Sequence, residues 1–81
     1  MHNYPHYYLM QEPPTTASAK YQEAFEALDS TYGTEPIPEP EGVGTLRTAM
    51  KVSEPEAIQI LRSMADSGYL SKRTYEEVYS L

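Results

Sequence analysis

The chain has 81 residues, of which 40% are hydrophobic and 22% charged, and a formal net charge of −6, so it can hold one domain with a modest core and is not wholly disordered. It has no cysteine, which excludes disulfides, a thiolate nucleophile and a Cys-rich zinc site and fits a reducing cytoplasm. No stretch approaches the ~18 apolar residues of a membrane span and no basic, apolar leader opens the chain, so the expectation is a cytoplasmic protein without membrane contact.

The charge is unevenly spread. Residues 1–44 hold Lys20 against seven acidic residues, whereas residues 45–81 hold five basic residues, Arg47, Lys51, Arg62, Lys72 and Arg73, against five acidic ones. An acidic half of this kind suits a protein partner with a basic surface and repels nucleic acid that comes near it. Eight tyrosines, one Phe and no Trp provide apolar rings with polar tips for the edge of a small core or for a contact surface.

Residues 1–15 contain Pro5, Pro13 and Pro14 without a sustained period and read as an extended Tyr/Pro-rich arm. Tyr4, Tyr7, Tyr8 and Leu9 give that arm apolar surface for protein contact, on its own domain, on a partner or on a second copy as a homodimer. From residue 16 a single helical domain is expected. Ala17, Tyr21, Ala24, Phe25, Leu28 and Tyr32 recur every three or four positions and predict a helix over 16–32 closed by Gly33. Residues 34–44 alternate proline with glutamate and read as a semi-rigid acidic connector, in which Glu35, Glu39 and Glu41 are candidate contacts for a basic protein surface.

A short helix then carries Leu46, Ala49 and Met50 inward and ends at Lys51-Val52. Ser53-Glu54-Pro55-Glu56 has the pattern of a capping box, with proline tolerated in a first turn and two carboxylates at the positive end of the helix dipole. The helix it opens places Ala57, Ile58, Leu61, Met64 and Ala65 inward, with Ile60 at the margin, and stops at Ser67-Gly68. For residues 71–80 both a helix faced by Tyr75, Val78 and Tyr79 and a strand fit the composition; lacking a hairpin turn, the segment is assigned as a C-terminal helix. The expected fold is therefore all-α, with three to four short helices.

Residues 46–70 resemble the core of winged helix-turn-helix proteins. Leu46 through Met50 stand for the first helix, Val52-Ser53 for the turn, Glu54 through Asp66 for the recognition helix, and Gly68-Tyr69-Leu70 for the exit into the wing. The resemblance implies a DNA-binding regulator in which Gln59, Arg62 and Ser63 approach bases while Arg47, Lys51, Lys72 and Arg73 hold phosphates. Three features depart from the family pattern: Arg47 replaces a small residue, Lys51 replaces the turn glycine, and the Gly-tipped two-stranded wing is degenerate or missing. Glu54 and Glu56 also stand at the end of the helix that phosphate would meet.

Other chemistry is weaker. His2 and His6 are separated by Pro5, which breaks the helical spacing a metal site would use. Carboxylate pairs such as Glu39 and Glu41, or Glu76 and Glu77, lack a visible apolar pocket to tune one as an acid, and Gly42-Val43-Gly44 lacks the third glycine of a phosphate loop. The expectation is a small non-enzymatic regulatory or adaptor module without cofactor or metal. Two uses stay open: DNA binding, or an acidic protein–protein interaction module, such as a phage- or microbial-type inhibitor or accessory factor, that does not bind nucleic acid.

Overall fold

The structure is a computed structural model in which residues 4–79 are described. Four helices pack with a small antiparallel sheet in the chain order β1 (His6–Leu9), α1 (Ala19–Tyr32), β2 (Ile37–Pro38), α2 (Glu39–Met50), α3 (Glu54–Asp66), β3 (Leu70–Arg73) and α4 (Tyr75–Val78). The strand order is β2-β1-β3, so the all-α expectation is wrong and the fold is mixed α/β. What the sequence pattern missed is that the residues expected to form an extended arm supply the central strand. Tyr7 lies opposite Ile37 on one side and Lys72 on the other, and Leu9 lies opposite Leu70. These partners are 30 to 65 positions away, and no hairpin turn announces them.

Opposite residues of an antiparallel pair share a face. Tyr7, Ile37 and Leu70 are therefore on the side packed against the helices, where all three are buried with Ala24, Leu28, Val43, Leu46, Ala57, Ile60, Leu61 and Met64. His6 points to the other side, and its ring is enclosed by Tyr4, Tyr75 and Tyr79 at centroid distances of 5.5, 5.8 and 5.4 Å. The sheet is thus covered on one face by α1, α2 and α3 and on the other, at the β1–β3 end, by tyrosines from both termini of the chain. The alternation of buried and solvated faces expected of a one-sided sheet is broken at His6, which is buried.

α1 begins after Ser18, later than residue 16, because residues 10–17 cross from β1 to the helix; Gln22 Nε2 fastens this crossing by donating to the Ala17 carbonyl at 3.0 Å. α2 starts at Glu39, inside the stretch expected to be a connector. Pro40 sits in the first turn, where its missing N–H costs no helical bond, and Glu39 and Glu41 stand at the positive end of the dipole. The run that reads as polyproline is instead a helix start. Its earlier origin places Glu39, Val43, Leu46 and Met50 on the inward face, and leaves Ala49 exposed.

Gly42 lets that face come close to its neighbours: a Cβ there would lie 2.9 Å from Ile37 Cγ2 and 3.3 Å from Leu61 Cδ1. α2 ends at Lys51, which adopts the left-handed conformation (φ 57°, ψ 43°) and donates its N–H to the Arg47 carbonyl. Ser53 then caps α3 by accepting from the Glu56 N–H at 3.3 Å. α3 packs on α2, β3 and α1 together. The third contact widens its buried face to Ile60 and leaves Ile58 half-buried, the reverse of the expected roles.

After α3, Gly68 (φ 87°) turns the chain and Tyr69 enters the sheet, its carbonyl accepting from the Met10 N–H at 3.0 Å. Residues 70–73 are strand, not the beginning of the expected 71–80 helix. Helix follows only at α4, capped by Thr74: Thr74 Oγ1 accepts from the Glu77 N–H at 3.1 Å, and the Thr74 N–H donates to Glu77 Oε1 at 2.8 Å. The 71–80 assignment also runs to residue 80, outside the described residues.

Candidate nucleic-acid interface

Where α2, α3 and the sheet meet, three side chains distant in sequence form one polar chain. The Tyr7 hydroxyl donates to Glu39 Oε2 at 2.7 Å, and Arg62 reaches the same carboxylate with Nη2 to Oε1 at 3.3 Å and Nε to Oε2 at 3.4 Å. Tyr7 and Glu39 are buried, whereas the Arg62 side chain is 59% exposed. The short buried bond is the stronger link, because the arginine's half of the pair is screened by solvent. Burial, and then the hydrogen bond to the carboxylate, push the Tyr7 phenol well above its ordinary value. The same carboxylate pushes the Arg62 guanidinium up, so it stays charged.

This arrangement removes two expected contact residues from the surface. Tyr7 is core, and Glu39 is the buried partner of a phenol and a guanidinium rather than a solvated acid for a basic protein. Each was misplaced because its partners are distant in sequence: Tyr7 faces the helices from the central strand, and Glu39 opens α2 on its inward face. Glu35 and Glu41 remain exposed. Tyr8 and Leu9 are half-buried in β1, and Tyr4 packs on His6.

The expected nucleic-acid residues fall into three places. Arg62, Lys72 and Arg73 come together around a cleft of about 470 Å3, walled by Tyr4, Pro5, Thr74, Tyr75 and Glu77. The sheet register explains this grouping. Lys72 lies opposite Tyr7 and so shares the face towards α3, while Arg73 lies opposite His6 on the tyrosine side. The cleft therefore wraps around the end of the sheet.

Gln59 and Ser63 line a separate depression of about 350 Å3 with Lys20, Tyr21, Ser53 and Glu56. Arg47 and Lys51 are exposed at the end of α2. The structure thus does not gather all seven residues into one surface. Thr74 and Tyr75 are members of the cleft that sequence reasoning missed. The signal available for them was Thr74 and Glu77, three apart, which repeats the Ser53–Glu56 spacing and marks a helix start.

His6 is buried among tyrosine rings, a packing role distinct from the metal ligand weighed for it, and His2 lies outside the described residues. No helix of the described residues is long and apolar enough to cross a membrane. Comparison with protein-family models, with curated proteins and with solved structures returns no match.

Proposed function

We propose that the protein is a small non-enzymatic regulatory module with a helix-turn-helix-like core, and that it binds nucleic acid through the cleft between α3, β3 and the N-terminal segment. The observation that carries this reading is the convergence of Arg62, Lys72 and Arg73 on one cleft in a chain whose net charge is −6. Folding concentrates positive charge where composition alone opposes it. The α2–turn–α3 unit supports the resemblance to winged helix-turn-helix proteins, with Lys51 taking a left-handed turn conformation that glycine takes at no steric cost. In place of a wing that follows it, β3 pairs with the N-terminal β1.

The contact differs from the one the resemblance implies. Glu54, Glu56 and Asp66 are exposed on α3 together with Gln59 and Arg62, so the start of this helix repels phosphate and the cation-bearing end of the sheet is the better approach. The test is fluorescence anisotropy of the full chain, at rising salt, with a labelled duplex that carries a single-stranded overhang. Affinity at low salt that falls with salt is expected, and Lys72→Ala and Arg73→Ala should each reduce the salt slope by about one. No affinity at low salt overturns the proposal.

A second reading is favoured by the exposed carboxylates Glu23, Glu26 and Asp29 of α1 with Glu35 and Glu41. They form acidic surface for a basic protein partner without needing the cleft. Capture of a partner that survives nuclease treatment and is lost in the Glu35→Gln, Glu41→Gln double variant would favour this reading over the first.

A further inference from the structure

The cleft combines two kinds of wall. Arg62, Lys72 and Arg73 supply the charge, and Tyr4 and Tyr75 supply aromatic rings. Both rings rest on the buried His6 ring, Tyr4 stacked at 27° and Tyr75 edge-on at 61°, and Tyr75 also packs on Tyr79 at 4.7 Å. They are held before any ligand arrives, which lowers the ordering cost of binding. A phosphate alone would use only the cations. A base-paired duplex presents phosphates but keeps its bases stacked inside, so it would leave the rings unused. The volume, about 470 Å3, lies in the range of roughly 300–1,000 Å3 typical of small-molecule sites.

We propose that this cleft holds one unpaired nucleotide at the end of a nucleic-acid strand, its phosphate among Arg62, Lys72 and Arg73 and its base against Tyr4 and Tyr75. Glu77 orients the nucleotide: its carboxylate repels phosphate at that end and accepts a hydrogen bond from an exocyclic amino group. The inference rests on the nucleic-acid reading above and narrows it to strand ends and single-stranded overhangs.

The experiment compares wild-type full-length protein on three labelled oligonucleotides at low salt: a blunt duplex, the same duplex with a three-nucleotide overhang, and the duplex with an abasic overhang that keeps the phosphates. The base-bearing overhang should bind about tenfold more tightly than either of the others, the effect of stacking one base on an aromatic wall. Tyr4→Leu and Tyr75→Leu, checked for folding by circular dichroism, should each reduce that gain to about twofold or less. Because the abasic arm needs no variant, a misfolded variant leaves the test intact.

Equal binding of all three oligonucleotides overturns the inference while the nucleic-acid reading stands. An abasic overhang that binds as tightly as the base-bearing one overturns it in favour of phosphate contact alone. A free nucleoside 5′-monophosphate that binds as tightly as the overhang replaces the strand end with a mononucleotide and overturns the strand assignment. Binding to none of the three overturns both readings.

Discussion

The α2–α3 unit and the sheet are built by different means. Within residues 39–66, short-range chemistry sets the structure: two proline-bearing first turns, a serine cap, a left-handed Lys51 and an apolar stripe at helical spacing. The sheet has little of this. Its middle strand comes from residues 6–9 and its neighbours from residues 37–38 and 70–73, so it exists only once distant segments have met. The cleft lies on the joint, with Arg62 from the first region and Lys72 and Arg73 from the second. A perturbation that opens the sheet should therefore cost more than one of equal size in the helices, and should also disperse the cations.

The largest expected effect tests that asymmetry. Tyr7→Ala removes a fully buried ring from the central strand and should lower unfolding stability by about 3–5 kcal/mol. A chain of this size commands only about 4–12 kcal/mol in total, so urea titration followed by circular dichroism should find the variant's midpoint far below that of the wild type. A loss below about 1 kcal/mol would make β1 an accessory strand. The half-buried Ile58 of α3 is the comparison site, and Ile58→Ala should cost less.

Tyr7→Phe keeps the ring and isolates the polar chain. Glu39 then loses its 2.7 Å donor while remaining buried, at a cost of about 1–3 kcal/mol. The same variant changes the response to alkali. Folding raises the Tyr7 phenol above its unfolded value, so its stabilisation is complete below a pH of about 10 and is lost as pH climbs towards the raised folded value. Thermal melts from neutral pH upwards should show the wild type losing stability above about pH 10 and the phenylalanine variant losing less. Parallel curves for the two proteins would remove Tyr7 from the account of alkaline unfolding.

This polar chain also marks the limit of what the sequence made legible. α3 and its cap follow from residues within a turn of each other. The burial of Glu39 does not, although a trace of it exists: stepping back from Met50 and Leu46 by helical intervals reaches Val43 and then Glu39. Pro38, Pro40, Gly42 and Gly44 obscured that trace because they read as connector. The wall formed by Thr74 and Tyr75 was hidden by the ambiguity of residues 71–80, where β-prone side chains surround a helix start. Arg62, Lys72 and Arg73 were identifiable as cations, but their meeting depends on the β1–β3 register, and no spacing within residues 62–73 encodes that.

Gly42 and Gly44 bring the comparison down to a pair of positions two residues apart in α2. Both substitutions to alanine gain helix propensity of about 0.8–1 kcal/mol. At Gly44 nothing lies within 4 Å of the new Cβ, so Gly44→Ala should stabilise by roughly that amount. At Gly42 the Cβ would meet Ile37 Cγ2 at 2.9 Å. That methyl belongs to a buried β-branched side chain in β2 with little freedom to turn. Gly42→Ala should reverse the sign and destabilise by about 1 kcal/mol, because the overpacking falls on the contact between helix and sheet. Chemical denaturation of both variants reads the difference, and two stabilising results would mean that the helix and β2 separate readily.

The smallest effect concerns α4, none of whose residues is buried and whose first turn is closed by its cap. The Thr74 N–H donating to Glu77, helped by the Thr74 hydroxyl and the nearby Arg73 charge, holds the Glu77 carboxyl below its ordinary value. A depressed carboxyl contributes above its unfolded value, and the contribution disappears as pH falls through the folded one. Acid should therefore loosen α4 before the buried core. Amide exchange at Val78 and Tyr79, whose N–H groups donate to Thr74 and Tyr75 carbonyls, should quicken below a pH of about 4 while Leu61 and Met64 stay protected. Glu77→Gln should abolish most of that acid step, since glutamine can still accept from Thr74 but has no proton to gain. If α4 and α3 instead lost protection together, the boundary between locally and distantly encoded structure would have to move beyond Arg73.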